Sequence, residues 1–247
     1  MRRADKIIVP SSATRQAALD FMPDLHPDHI SITTLGIGEE FQEIDPGKIA
    51  EASSRLKLPG HYVLFVGTIE PRKNLSALVE SYRRLVEAGS IRESLVIAGK
   101  LGWGYDELLK QIDVPELKGK VHMLGYLDQE DLPAVYAGAK LFVYPSLFEG
   151  FGFPPLEAMA CGVPTVSTLS SSLIENLAGA AELVQPDSVE ALADAMSRLL
   201  NDESLWASRR AMGLEQANRY RWEHTARATL ECYKEAMAIN RHGLSKP

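Results

Sequence analysis

Eight short apolar runs, separated by stretches long enough for amphipathic helices, limit what this chain can become more than any other feature. They are KIIVP at 6–10, ISITTL at 30–35, YVLFVG at 62–67, LVIAG at 95–99, VHMLG at 121–125, LFVYP at 141–145, TVST at 165–168 and ELVQ at 182–185. Runs of this length read as strands buried on both faces. Between them, Leu75, Leu78, Val79, Tyr82, Leu85 and Val86 recur at the three-and-four spacing of one helical face, from a cap at Asn74 to a stop at Gly89. Val189, Leu192, Ala193, Met196, Leu199 and Leu200 repeat the pattern. Strands alternating with such helices predict right-handed crossovers and an α/β fold with a doubly wound parallel sheet, Rossmann-like in class.

With 247 residues, 45% of them hydrophobic, the chain has enough apolar surface for a full-sized core. No stretch reaches the roughly 18 consecutive apolar residues of a membrane-spanning helix, and the opening MRRADKIIVPSS lacks the apolar run of a signal peptide. The two cysteines, Cys161 and Cys232, fall within helical patterns and are expected to be reduced and buried. A cytoplasmic location is predicted. The net charge of −7 argues against nucleic acid as a partner, since that needs a basic field to displace counterions. Six histidines form neither an HExxH nor a Cys/His cluster, and the nearest pair, His26 and His29, lies in a proline-flanked loop, so no metal site is expected. From Trp222 onward runs one more amphipathic stretch, with Ala226, Leu230, Tyr233 and Met237 on the side expected to pack on a neighbouring domain. Its mixed charges argue against a membrane-surface helix.

In an open parallel sheet, ligands bind outside the carboxyl ends of the strands. Two loops there carry candidate chemistry. The first, TIEPRKNL after YVLFVG, places Arg72 and Lys73 where a strand turns into a helix, and unpaired N–H groups and the helix dipole favour an anion at such a turn. Read blandly, the two are ordinary solvated charges. The second, SLFEGFGFPPLEAMACGVP after LFVYP, holds Glu149 on the loop and Glu157 one turn inside a helix that Pro154 and Pro155 open. Gly150 and Gly152 let backbone approach a ligand closely, and the N–H groups of Phe151, Gly152 and Phe153 are candidate donors to a phosphate or a sugar edge. Ionised carboxylates only accept hydrogen bonds, so Glu149 and Glu157 suit a ligand rich in hydroxyls. The bland alternative has Glu157 favouring its own helix dipole and Glu149 as a surface charge.

Taken together, EGFGFPPLEAMACGVP and VGTIEPRKNL resemble the retaining glycosyltransferases of family 4, which have the GT-B fold, and the likeness extends from ADKIIVPSSATRQ to RYRWEHTARATLECYKEA. The resemblance implies a nucleotide-diphosphate sugar as partner, GDP-mannose by likeness to bacterial mannosyltransferase-like members, and a hexosyltransferase that retains configuration and uses no cofactor. By the same likeness, Glu149 would contact hydroxyls of the transferred sugar, Glu157 the ribose, and Arg72 and Lys73 the diphosphate. Gly67 would leave room for the phosphates. The stretch MLGYL, with Gly125, Tyr126 and Leu127, would border the base, and Leu132 would pack against it. Many members carry arginine directly after the strand-ending glycine; here the residue is Thr68, and Arg72 is expected to supply the charge. No D-x-D motif occurs, which fits a metal-independent route.

GT-B enzymes have two Rossmann-like domains, and the chain resembles one half of that fold. Residues 1–37 are expected to be the closing β-α-β of the amino-terminal acceptor domain with its linker, 38–221 the donor-binding domain, and 222–247 a crossover helix and tail. A missing amino-terminal acceptor domain, or a partner chain in its place, would complete the cleft, and any membrane association would come through that half. Alone, the chain is expected to be inactive. Two other readings share the motif: a sugar-nucleotide epimerase on the same fold, and a non-catalytic nucleotide-sugar-binding module.

Overall fold

The computed structural model describes residues 4–243, with side chains described as far as Ile239; residues 1–3 and 244–247 of the outer segments lie outside the described residues. Strands β1 (Ile7–Val9) and β2 (Ile30–Ile32) pair in parallel across helix α1 (Ser12–Phe21). After α2 (Pro46–Leu56) come β3 (Tyr62–Val66), α3 (Leu75–Glu87), β4 (Ser94–Ala98), α4 (Asp106–Ile112) and β5 (Val121–Gly125). Then follow α5 (Leu132–Ala137), β6 (Leu141–Tyr144), α6 (Phe153–Ala160), β7 (Thr165–Thr168), α7 (Ser171–Leu177) and β8 (Glu182–Val184). The chain ends with α8 (Val189–Asn201), α9 (Glu203–Ala217) and α10 (Trp222–Gly243).

Strands β3 to β8 form one sheet, parallel throughout, in the order β5-β4-β3-β6-β7-β8. That order reverses direction between β3 and β6, the hallmark of the doubly wound arrangement. Val63 to Phe65, Leu95 to Ile97 and Leu141 to Tyr144 are buried without interruption, so both faces of the central strands are covered. The helices that cover them do so for the reason their spacing gives: α3 buries Leu75, Leu78, Val79, Tyr82 and Leu85, and α8 buries Leu192, Ala193, Met196, Leu199 and Leu200. Ser188 caps α8 by accepting from the Ala191 N–H at 3.1 Å.

Three local expectations are corrected. The outer strands β5 and β8, and the β1–β2 pair, are not buried on both faces; Met123 of β5 and Ile8 and Ile32 of the small sheet face solvent. Strands β5 and β8 are the two edges of the large sheet, and β1 and β2 both edges of the small one. Asn74 does not cap α3 with its side chain: it sits in the left-handed region at φ 55, after a 3-10 turn over Pro71–Lys73, and its amide donates instead to the Pro186 carbonyl at 3.1 Å. Cys161 lies just past the end of α6 rather than within it, although it and Cys232 are both buried. On α10 the stripe Leu230, Tyr233 and Met237 is exposed, and the side that meets the rest of the described residues carries Thr225 and Cys232.

The first 35 residues are tied to the rest at defined atoms. Ser11 and Thr14 both donate to the Gly150 carbonyl, at 2.7 and 3.0 Å. The Glu175 carboxylate accepts from the Ser12 and Ala13 N–H groups at 3.1 and 3.2 Å, at the open end of α1. On the other side, Thr225 of α10 donates to the Thr34 carbonyl at 2.8 Å, and Lys6 pairs with Glu235 at 2.8 Å. No helix among the described residues is long and apolar enough to cross a membrane.

Candidate active site

The switch between β3 and β6 is where a doubly wound sheet opens a crevice, and the loops leaving these two strands are the two singled out by the sequence. They meet there. Glu149 reaches across to the Lys73 ammonium at 2.7 Å and to the Arg72 guanidinium at 2.8 Å. Lys73 is 7% exposed and also donates to the Tyr144 hydroxyl; Arg72, with a side chain 40% exposed, further pairs with Glu70 at 2.7 Å and bonds the Phe148 carbonyl. Burial opposes ionisation of Glu149, yet Lys73, Ser146 and Arg72 outweigh it and hold the carboxyl below its ordinary range. For Lys73 burial wins and lowers the ammonium, with Glu149 acting against it and Arg72 adding to it. The two cations are therefore not bare: Glu149 pairs with both, and Glu70 with the half-exposed Arg72.

A set of hydroxyls absent from the sequence reading fixes Glu149. Ser146 donates to Glu149 Oε1 at 2.6 Å, and Tyr144 donates to the same oxygen at 3.1 Å. Ser171, at φ 39, accepts from the Glu149 N–H at 2.7 Å, while Ser172 donates to the Glu149 carbonyl at 2.9 Å. Thr168 and Ser170 both hold the Ser146 carbonyl. The signal available in the sequence was TLSSSL at 168–173, a polar run directly after an apolar strand.

The second carboxylate lies one helix turn further. Glu157 accepts from Tyr136 at 2.9 Å and lines a cleft of about 600 Å³ with Phe153, Gln129, Glu40 and Trp222. Burial pushes its carboxyl up to about 7, Tyr136 acting against and the nearby Glu40 charge adding to the rise. Burial and the charges of Glu149 and Glu157 raise the Tyr144 phenol well above the ordinary value, so it stays a donor to Glu149. Gly152 opens α6 at φ 91, and a Cβ there would lie 2.6 Å from Leu173 Cδ2, so only glycine fits the turn. Phe151 turns its ring inward against Phe153 and Tyr220, at centroid distances of 5.0 and 5.7 Å, and leaves only backbone for a ligand. Pro154 and Pro155 remove two of the N–H donors that the start of α6 would otherwise offer.

A third group assembles at the ends of β3 and β4. Gly67, Thr68, Tyr126, Leu127 and Leu132 line one cavity of about 320 Å³, and Lys100, not foreseen, lines it too. Gly125 stands beside this mouth, its carbonyl accepting from the Gly99 N–H at 2.7 Å. The two strand ends touch: at Gly99 (φ 149) a Cβ would fall 1.9 Å from the Gly67 carbonyl oxygen. The cavity and the charged cluster are neighbours, because a Cβ on Gly67 would lie 3.8 Å from Lys73 Cε. Helix α5 joins cavity to cleft, with Leu132 in the first and Tyr136 on Glu157.

With the two loops in contact, the comparison with known proteins is decisive: residues 48–219 match the family model described as glycosyl transferases group 1. The chain belongs to this glycosyltransferase family. O-antigen chain mannosyltransferase B of Escherichia coli is 36% identical over 84% of this chain and 55% of its own length. The serotype-specific mannosyltransferase WbdA of Escherichia coli is 33% identical over 93% of this chain and 28% of its own. The chain thus spans about half the length of the first relative and less of the second. Among solved structures, Anabaena Alr3699/HepE in complex with UDP and glucose superposes with a TM-score of 0.82 at 19% identity, over 96% of this chain and 64% of that one. At that identity the likeness is one of fold, and it places the Rossmann-like sheet of this family member among GT-B glycosyltransferases.

Proposed function

We propose that this chain is the donor-binding half of a retaining glycosyltransferase that takes a hexose from a nucleoside diphosphate, with GDP-mannose as the donor. The observation that carries the reading is the meeting of Arg72, Lys73 and Glu149 at the switch point, beside the cavity at Gly67. A nucleotide sugar calls for these same partners: cations for its diphosphate, acceptors for its hydroxyls and an apolar-walled space for its base. The mannosyltransferase relatives support the choice of sugar.

The proposed division of labour follows from exposure. Arg72, the more accessible cation, meets the diphosphate beside the backbone N–H groups of Gly152 and Phe153, with Thr68 and Gly67 at the strand end. Lys73, buried, holds Glu149 ionised toward the hydroxyls of the sugar. Glu157 accepts from the ribose, and Gly125, Tyr126, Leu127 and Leu132 border the base. In transfer, the bond from the anomeric carbon to the diphosphate oxygen breaks and the diphosphate leaves with the electron pair. An acceptor hydroxyl adds to the same face and loses its proton to the departing phosphate. Preorganised charge at Arg72 and Lys73 stabilises what develops on the leaving group.

The acceptor site belongs, in this reading, to an amino-terminal domain or partner chain. Its support is the two-stranded β1–β2 sheet with Ile8 and Ile32 exposed, too small to be stable as a unit, and the exposed outer stripe of α10. A cytoplasmic setting is supported by the two free, buried thiols. A thermal-shift series with GDP-, UDP- and ADP-sugars tests the donor site, since a ligand that binds only the folded form raises the melting temperature. Arg72→Ala is expected to weaken GDP far more than guanosine; equal losses, or no shift with any nucleotide sugar, would reject the donor site.

A further inference from the structure

The cavity at the ends of β3 and β4 has an uneven chemistry. Its floor is the backbone of Gly67 and Gly99, and its walls include Leu127, Leu132 and the Tyr126 ring. One charge stands on it: the Lys100 ammonium lies 4.4 Å from the Tyr126 ring centroid, and no acidic residue lines the space. Tyr126 is 63% exposed, and among the described residues the Lys100 ammonium meets this ring and no carboxylate. A flat ring and apolar walls accept a planar heterocycle, whereas a lone ammonium at the rim accepts only an edge that offers lone pairs.

Resting on the donor-site reading above, we infer that Lys100, poised over Tyr126, is a specificity-determining residue that selects an oxo-base and rejects adenine. Guanine presents O6 and N7 as adjacent acceptors, the pairing in which lysine is commonest, and uracil presents one carbonyl. Adenine keeps N7 but sets an amino donor where guanine has O6. Two donors then face each other with no carboxylate in the cavity to accept from either. Selectivity comes as much from this mismatch as from the bond to the favoured base.

Titration calorimetry of the 247-residue chain with GDP, UDP, IDP and ADP separates the possibilities, because IDP and ADP differ in the group at C6. The chain is expected to bind GDP and IDP at least about tenfold more tightly than ADP, as one good base contact implies. UDP falling with GDP or with ADP decides whether one carbonyl is enough. Lys100→Met is expected to bring GDP and IDP to within about twofold of ADP, with ADP itself unchanged. A loss shared equally by all four ligands would assign Lys100 to the phosphates and overturn the inference. So would selectivity that survives Lys100→Met, and both of these leave the donor site standing. Failure of every nucleoside diphosphate to bind the unaltered chain would remove the donor site and this inference together. Lys100 is exposed, and an unchanged melting temperature of the variant confirms that it folds.

Discussion

Burial gives single side chains here their measurable behaviour. The Glu157 carboxyl, raised to about 7, is protonated in the folded chain where an unfolded glutamate has already ionised. Its contribution to stability is fully present below the unfolded value of 4.5 and is lost as pH rises through about 7. The ligand-free chain is therefore expected to melt at lower temperature at about pH 8 than at about pH 5, and Glu157→Gln to flatten that difference. An unaltered slope in the variant would refute the assignment. Above about pH 7, where the carboxyl is ionised, Glu157→Ala is expected to weaken GDP binding by about 1.5 to 3 kcal/mol, the usual value of a hydrogen bond to a charged group; calorimetry giving full affinity would exclude the ribose role. The two cations divide differently. Lys73→Met breaks a buried pair and is expected to cost about 3 kcal/mol in urea unfolding. Arg72→Ala, on a half-exposed side chain, should cost less than about 1 kcal/mol. Similar losses for both would contradict the buried role of Lys73.

At the level of strands and loops, the mouth of the sheet depends on contact between two strand ends. Gly99→Ala would drive a Cβ into the Gly67 carbonyl at a backbone angle that side chains avoid, and a loss of about 3 kcal/mol on chemical denaturation is expected. A loss under about 1 kcal/mol would mean that the strands separate easily. The strands, their order of appearance and the two motif loops were legible in the sequence, because apolar runs and helical spacing are local signals. What stayed hidden needs contacts between distant segments. Lys73 and Glu149 stand 76 residues apart, and nothing local announces that Glu149 neutralises the cations rather than standing apart from them. The serine and threonine bonds that fix its loop and the place of Lys100 beside Tyr126 are hidden for the same reason. On α10 a spacing argument found an apolar stripe, but spacing alone does not say which of two neighbouring stripes meets the protein.

For the molecule as a whole, the chain carries both a complete parallel sheet and a small one with apolar residues facing water. Supplying the amino-terminal half of a relative, in cis or in trans, is expected to turn nucleotide-sugar binding into transfer. Radiolabel or mass measurement of the acceptor product checks this, and continued silence would favour a binding module instead. Release of an altered nucleotide sugar without any acceptor would favour an epimerase. A shortened chain starting at residue 38 should melt below the full one, since Ser11 and Thr14 no longer hold Gly150; equal melting would show that tether to be idle. The Gly150 carbonyl, between Glu149 and Glu157, is thus gripped by the segment ahead of residue 38. Under the proposed function, anyone grafting a foreign front segment onto this protein to change what receives the sugar would also be adjusting how the sugar is presented.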